Sequence, residues 1–324
     1  MAEPDRDKFR SILQRRVREQ DRAVNRFEKN LEELSENIGR RLAASLGVDP
    51  DTVAERRKSD GRLVGQTDFE QRIQASVGIE RIRANVLLAS AQELVSFVDA
   101  SGLERSRPIL TSSFEKLAGL AEAQAAAAGL AAAGVLDTAA ATALLGSFVE
   151  GRLNQDFIGG LGRVSANRIR AGLISNLGII PMQEVAARIA EAELVSVPVA
   201  VTEARTRMAE ADRFAGDVVR QSVDPDGEAT LLVYQGPDDG VTRDFCRILV
   251  NKAFTVDDFD AANNHQTATH PRYAGGGYNC RHAVSIMPNS PAALEALGIQ
   301  LGDAADVQAA SNAAKAKRKK RKKR

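Results

Sequence analysis

Up to Ser222 no stretch of this chain alternates apolar and polar side chains in the way a half-buried strand must. Apolar residues recur instead at three- and four-residue steps, the period of an α-helix, so the first two-thirds of the chain can only fold as helices packed on helices. The clearest stripe is Val17, Val24, Phe27, Leu31, Leu34, Ile38 and Leu42, flanked by Arg, Glu and Lys. It predicts an amphipathic helical arm over residues 1–60, packed on its own domain or acting as an oligomerisation or docking arm. Gly47-Val-Asp-Pro50 is expected to end it, because the residue before a proline disfavours the helical region. Aromatic residues make up only 4% of the chain and Trp is missing, so the core must be largely aliphatic.

A helical domain is expected over residues 61–221, after a polar loop at 51–65. Phe69, Ile73, Val77, Ile82, Val86, Leu87, Leu94 and Val98 keep helical spacing. Ser101-Gly102 closes that helix and Pro108 opens the next, since proline is tolerated in a first turn. The Ala-rich segment Leu117–Phe148 has high helix propensity. Its uncharged part, Ala123–Leu136, is too short and too rich in Ala to read as a membrane span, so it predicts a buried helix and no membrane partner. Gly159, Gly160 and Gly162 predict a break, followed by a helix over Val164–Leu177. A further helix is expected after Pro181, and a last one from Pro198.

The pattern changes at Ser222. Asp224-Pro-Asp-Gly227 is turn chemistry, Ala229–Tyr234 is the first strand-like run, and Gly236–Gly240 turns out of it. A short helix is expected over Val241–Val250, a second behind the capping box Thr255…Asp258, and a strand over Cys280–Met287. Residues 222–288 thus form a small α+β module, of a size that profits from a staple. The fold class is mainly α: a long helical N-terminal part, this module, and a linker with a disordered basic tail over residues 289–324.

Both cysteines and all three histidines lie between Cys246 and His282. Cys246, His270, Cys280 and His282 are candidate ligands for zinc, which prefers tetrahedral Cys/His sets; His265 is the alternative to His270. Cys280 and His282, two apart, would project from one face of a strand. The spacing lacks a Cys-x-x-Cys or His-x-x-x-His knuckle, so buried structural cysteines and, less readily, a disulfide stay open as readings. No signal peptide is visible at Met1, which predicts synthesis in a reducing cytoplasm. A nucleophile–base pair of Cys and His, or a nuclease using the histidines with Arg243, Arg281 and Asp238, is the enzymatic alternative. No hydrolase, metalloprotease or phosphate-loop motif supports it, and no catalytic residue is assigned.

The string Tyr234-x-Gly-Pro-Asp-Asp-x-x-Thr242-Arg243-x-Phe-Cys246-Arg247, then Lys252-x-Phe-Thr, then Gly276-Gly-Tyr-Asn-Cys280-Arg-His282 resembles the C-terminal domain of phage head-morphogenesis proteins. These are minor capsid proteins similar to the F protein of phage Mu. The resemblance covers roughly residues 155–288, and its specific part is 234–282. It implies a low-copy protein of the phage head, made in the bacterial cytoplasm and built in near the portal or major capsid protein, without an established catalytic reaction. The Ala283-Val284 pair after His282 departs from the aromatic residue that relatives often carry there.

After Asp306 there is no acid, while Lys315, Lys317, Arg318, Lys319, Lys320, Arg321, Lys322, Lys323 and Arg324 supply nine positive charges. The rest of the chain holds 35 Lys and Arg against 43 acids, about −8, although the whole chain is only +1. A basic tail without aromatic residues predicts sequence-independent contact with a polyanion such as packaged double-stranded DNA.

Overall fold

The computed structural model describes residues 3–45, 103–176 and 182–322. The loop at 51–65, the Phe69–Val98 stripe, and the terminators Gly47–Pro50, Ser101-Gly102 and Gly178–Pro181 lie outside the described residues. The protein is mainly helical with one small mixed sheet near its C-terminal end. The elements are α1 (Arg6–Ser45), α2 (Leu103–Ala127), α3 (Ala139–Phe148), a π-helical segment (Val149–Ile158), α4 (Gly159–Asn176) and α5 (Met182–Val223). Then follow β1 (Thr230–Gln235), α6 (Asp244–Leu249), β2 (Lys252–Phe254), α7 (Val256–Asp260), α8 (Pro271–Ala274), β3 (Ala283–Pro288), α9 (Pro291–Leu297), β4 (Gln300–Leu301) and α10 (Ala304–Lys322).

The chain divides into two compact units. One holds Arg26–Pro108 and Asn154–Val201 and is wholly helical among the described residues. Its core draws on the α1 stripe: Phe27, Leu31, Leu34 and Ile38 are buried. Phe27 meets Phe157 with ring centroids 5.4 Å apart. Buried Glu193 on α5 receives Ser165 Oγ at 2.7 Å and Arg168 Nη1 at 2.9 Å from α4, which satisfies its charge.

The other unit holds Met1–Asn25, Ile109–Leu153 and Thr202–Arg324. Its sheet has the order β3-β1-β2-β4, with β1 antiparallel to β2 and β3, and β2 parallel to β4. The central strand β1 is buried along its whole length. Its alternate side chains serve two layers. Leu231 and Val233 pack with Phe9 and Ile12 of α1, Met287 of β3 and Leu297 of α9. Tyr234 points the other way, into an aromatic group with Phe245 and Phe259.

Beneath the sheet Arg16 is buried, and its guanidinium is fully engaged. Nε donates to Asp212 Oδ1 at 2.7 Å, Nη1 to Gln124 and to Ser285 Oγ at 3.1 Å, and Nη2 to the carbonyls of Asp212 and Val284. One side chain thus joins α1, α2, α5 and β3.

Several expectations are corrected. The Ala-rich segment is not one helix: α2 stops at Ala127, where Gly129 sits at φ 92° and the N–H groups of Gly129 and Leu130 return to the carbonyls of Ala126 and Ala125. That is a Schellman closure, and it needs the left-handed conformation that glycine adopts without penalty. Gly159-Gly160 does not break the chain, because α4 starts at Gly159 directly after the π-helical segment, which buries Leu153, Phe157 and Ile158. Pro108 and Pro198 lie inside α2 and α5 rather than opening helices. A proline inside a helix costs a hydrogen bond, roughly 3 kcal/mol, and around Pro198 the buried Val197, Ala200, Val201 and Ala204 offset it. The tail expected to be disordered is helix α10 as far as Lys322. It is Ala-rich, and Val307, Ala310 and Ala314 are buried at helical spacing.

Arg16→Met, which leaves Asp212 buried without its partner, is expected to lower unfolding stability in urea by about 3–5 kcal/mol. Adding Asp212→Leu is expected to recover part of that loss.

Candidate metal centre

The centre sits against the face of β1 that carries Tyr234. Cys246 comes from α6, whose short length is set by a β-conformation N-cap at Arg243 and an extended Val250 at its end. Thr242 shapes the preceding turn, its hydroxyl donating to the Pro237 carbonyl and accepting from Asp239 N at 2.9 Å each. Cys280 and His282 arrive on the segment between α8 and β3. They are not on the strand as expected, since β3 begins at Ala283. The chain bends so that both side chains turn inward, and both are buried.

The sulfurs of Cys246 and Cys280 are 3.8 Å apart and unbonded, so the disulfide reading is not realised. Cys280 Sγ lies 3.7 Å from His282 Nδ1. The Tyr234 hydroxyl is 3.3 Å from Cys246 Sγ and 3.5 Å from Cys280 Sγ, and its ring stacks on His282 with centroids 5.2 Å apart. Gly276 N–H donates to Cys280 Sγ at 3.2 Å. A Cβ at Gly276 would run into Cys246 Sγ, so the backbone approaches the sulfurs only because that residue has no side chain.

Arg213, on α5 and buried, holds this loop by its carbonyls. Nε and Nη2 donate to His282 O at 2.9 and 2.5 Å, Nη2 also to Cys280 O at 3.1 Å, and Nη1 to Tyr273 O at 2.7 Å. The two thiols separate in acidity. The hydrogen bond from Cys246, together with the Arg213 charge and His282, holds the Cys280 thiol well below its ordinary value despite burial. The same sharing, with burial, pushes Cys246 up. Cys280 is therefore the more acidic of the two thiols. Burial raises the Tyr234 hydroxyl well above its ordinary value, so it stays a hydrogen-bond donor.

Cys246, Cys280 and His282 can hold a metal ion, their ligand atoms all lying within 4.8 Å of one another. Two of the three donor separations approach the edges of a tetrahedral ion, and the third lies within 4.8 Å. Arms of about 2.3 Å to sulfur and 2.0 Å to nitrogen imply edges of about 3.5–3.8 Å, against the 3.8 and 3.7 Å present. The ring Nε2 of His282 is buried without a hydrogen-bond partner among the described residues.

The fourth predicted ligand does not join them. His270 caps α8, its Nδ1 accepting from Arg272 N at 3.1 Å while Nε2 lies 2.9 Å from Asp260 O. His265 lies on a separate loop. Of the basic tail, Lys315, Lys317 and Arg318 are exposed on α10, Lys319, Lys320, Arg321 and Lys322 lie on the same helix, and Lys323 and Arg324 are outside the described residues. Arg213 was not legible as part of the centre, being one of many arginines on a helix 33 residues before Cys246. Around the rim, Arg281 Nη2 donates to both carboxylate oxygens of Asp239 at 2.8 Å, and Arg243 reaches the Tyr278 carbonyl.

Gly276→Ala is expected to destabilise the protein by about 1–3 kcal/mol, as overpacking does. Gly240→Ala, where an added Cβ meets nothing within 4 Å, is the control and is expected to stay within about 0.5 kcal/mol of the parent. Thermal or urea unfolding reads both.

Comparison with protein-family models, with curated proteins and with solved structures gave no match to this chain.

Proposed function

We propose that the chain is a structural, non-catalytic minor head protein of a tailed phage or prophage, and that Cys246, Cys280 and His282 bind zinc as a folding staple. One observation carries this reading: the residues of the head-morphogenesis resemblance converge on one buried centre. Tyr234, Cys246, Gly276, Cys280 and His282 touch one another, while Thr242, Arg243 and Arg281 tie the surrounding turns together. Cys280 is 2% exposed and His282 3%, which favours a staple over a nucleolytic centre that must admit a scissile phosphate. Two thiolates and an imidazole are a donor set suited to zinc, and a structural zinc contributes its binding energy to folding.

In this reading the protein is made in the host cytoplasm and enters the head beside the portal or major capsid protein. The helical N-terminal part supplies the docking or self-association surface, and α10 brings the basic tail to packaged double-stranded DNA. Among the described residues no helix is long and apolar enough to cross a membrane, which is compatible with a role inside a protein shell.

Mass spectrometry of purified heads from the producing strain is expected to find this chain at low copy. Its absence from DNA-filled and empty heads alike would overturn the assignment. Zinc is tested separately. A tight chelator is expected to lower the melting temperature of the full chain and to leave Cys280→Ser unchanged, because that variant has already lost the ion. A parent that melts identically with and without chelator would remove zinc from the proposal.

A further inference from the structure

A second polar concavity lies away from the metal centre. It has a volume of about 380 Å³ and is lined by Asn263, His265, Gln266, Thr267, Ala268 and Arg318. Its floor is held stiff. Asn263 Oδ1 accepts from His265 N at 2.8 Å, and Asn264 Oδ1 accepts from Gln266 N and Thr267 N at 2.9 and 3.1 Å. The buried Asn264 amide also donates to Gly275 O at 2.8 Å. His265 sits at φ 53°, a backbone conformation that turns the loop sharply toward α10.

Helix α10 is registered on this loop by one bond: Asn263 N donates to Ser311 Oγ at 3.0 Å. From Ser311, steps of four and three residues lead along the same helical face to Lys315 and Arg318. The fold therefore delivers these two cations to the loop. Their charge is felt at His265, where burial, Lys315 and Arg318 together disfavour protonation. Neither cation has an acidic partner among the described residues, and no acid lines the concavity. The concavity thus gathers an imidazole, two amide side chains, a hydroxyl and the Arg318 guanidinium, with Lys315 one helical turn away on the same face of α10.

We infer that this concavity is a seat for one phosphate of a nucleic-acid backbone, held by Arg318 and Lys315 from α10 and by His265 from the loop. The inference rests on the proposed DNA contact of the tail and gives it a defined anchor. The remaining tail charges act as a diffuse field, whereas the seat fixes where the backbone lies against the module. Asn263 and Thr267 place further polar groups at the rim. Nothing in the seat reads a base, so binding stays independent of sequence.

The test uses the full-length chain and a short duplex DNA of arbitrary sequence, titrated at several salt concentrations. Arg318→Ala is expected to reduce the log–log salt slope by about 1, the value for one neutralised phosphate. His265→Ala removes a hydrogen bond to a charged group and is expected to weaken binding about tenfold at moderate salt. The decisive reading is a double-mutant cycle. His265 and Arg318 are expected to be non-additive because they share one phosphate, while His265 and the exposed Lys317, which is outside the seat, are expected to add. Additivity of His265 with Arg318 would overturn the seat. The tail's own role is read apart from it, by deleting residues 315–324. If that deletion lowers affinity while the cycle is additive, only the seat fails; if the deletion leaves affinity unchanged, the seat and the DNA-contacting tail fail together.

Discussion

Arg213 sets the terms for the C-terminal module. It is 1% exposed, and among the described residues it has no carboxylate partner. Its guanidinium meets three backbone carbonyls, those of Tyr273, Cys280 and His282. A buried guanidinium without a counter-charge is costly. Here the balance comes from carbonyl dipoles, and the same charge favours ionisation of the neighbouring Cys280 thiol. The guanidinium on a long helix and the carbonyls of the loop therefore hold each other in place.

This relation explains why a module with a four-stranded sheet, two strands of which have three residues or fewer, holds a single arrangement. Arg16 fixes β3 from one side, through Ser285 and the Val284 carbonyl. Arg213 fixes the approach to β3 from the other, through the His282 carbonyl. The adjacent positions 212 and 213 of α5 thus serve opposite partners: Asp212 accepts from Arg16 and Arg213 donates to the loop. With the backbone pinned, the sulfurs, the imidazole and the Tyr234 hydroxyl are held close to one another. Such close placement suits the proposed staple, since it leaves less ordering entropy to oppose binding.

Much of the fold was legible because local rules and tertiary packing agreed. The α1 stripe is buried at Val24, Phe27, Leu31, Leu34 and Ile38, as its spacing demands. The Thr255 hydroxyl does accept from Asp258 N, at 3.1 Å. The gathering of Cys and His did mark the centre, though only three of the four proposed ligands meet. What was not legible was decided by long-range packing. Pro198 reads as a helix start, yet α5 runs through it because buried neighbours on both sides outweigh one lost hydrogen bond. The tail reads as disordered by charge, yet its alanines find a packing surface on α6 and α7. The strand pair β2 and β4 is too short to carry an alternating pattern. Tyr234 belonged to the recognised string, but its contact with both sulfurs depends on the register Tyr234–Val284, which no local pattern encodes.

The account turns on Cys246, Cys280 and His282 acting as one metal-binding staple rather than as three buried side chains. X-ray absorption at the zinc edge of the purified full-length chain tests this most directly. The expected result is a bound zinc with two sulfur neighbours at about 2.3 Å and nitrogen or oxygen neighbours at about 2.0 Å. A protein that carries no zinc after purification and zinc supplementation, or zinc in a shell without sulfur, would contradict it.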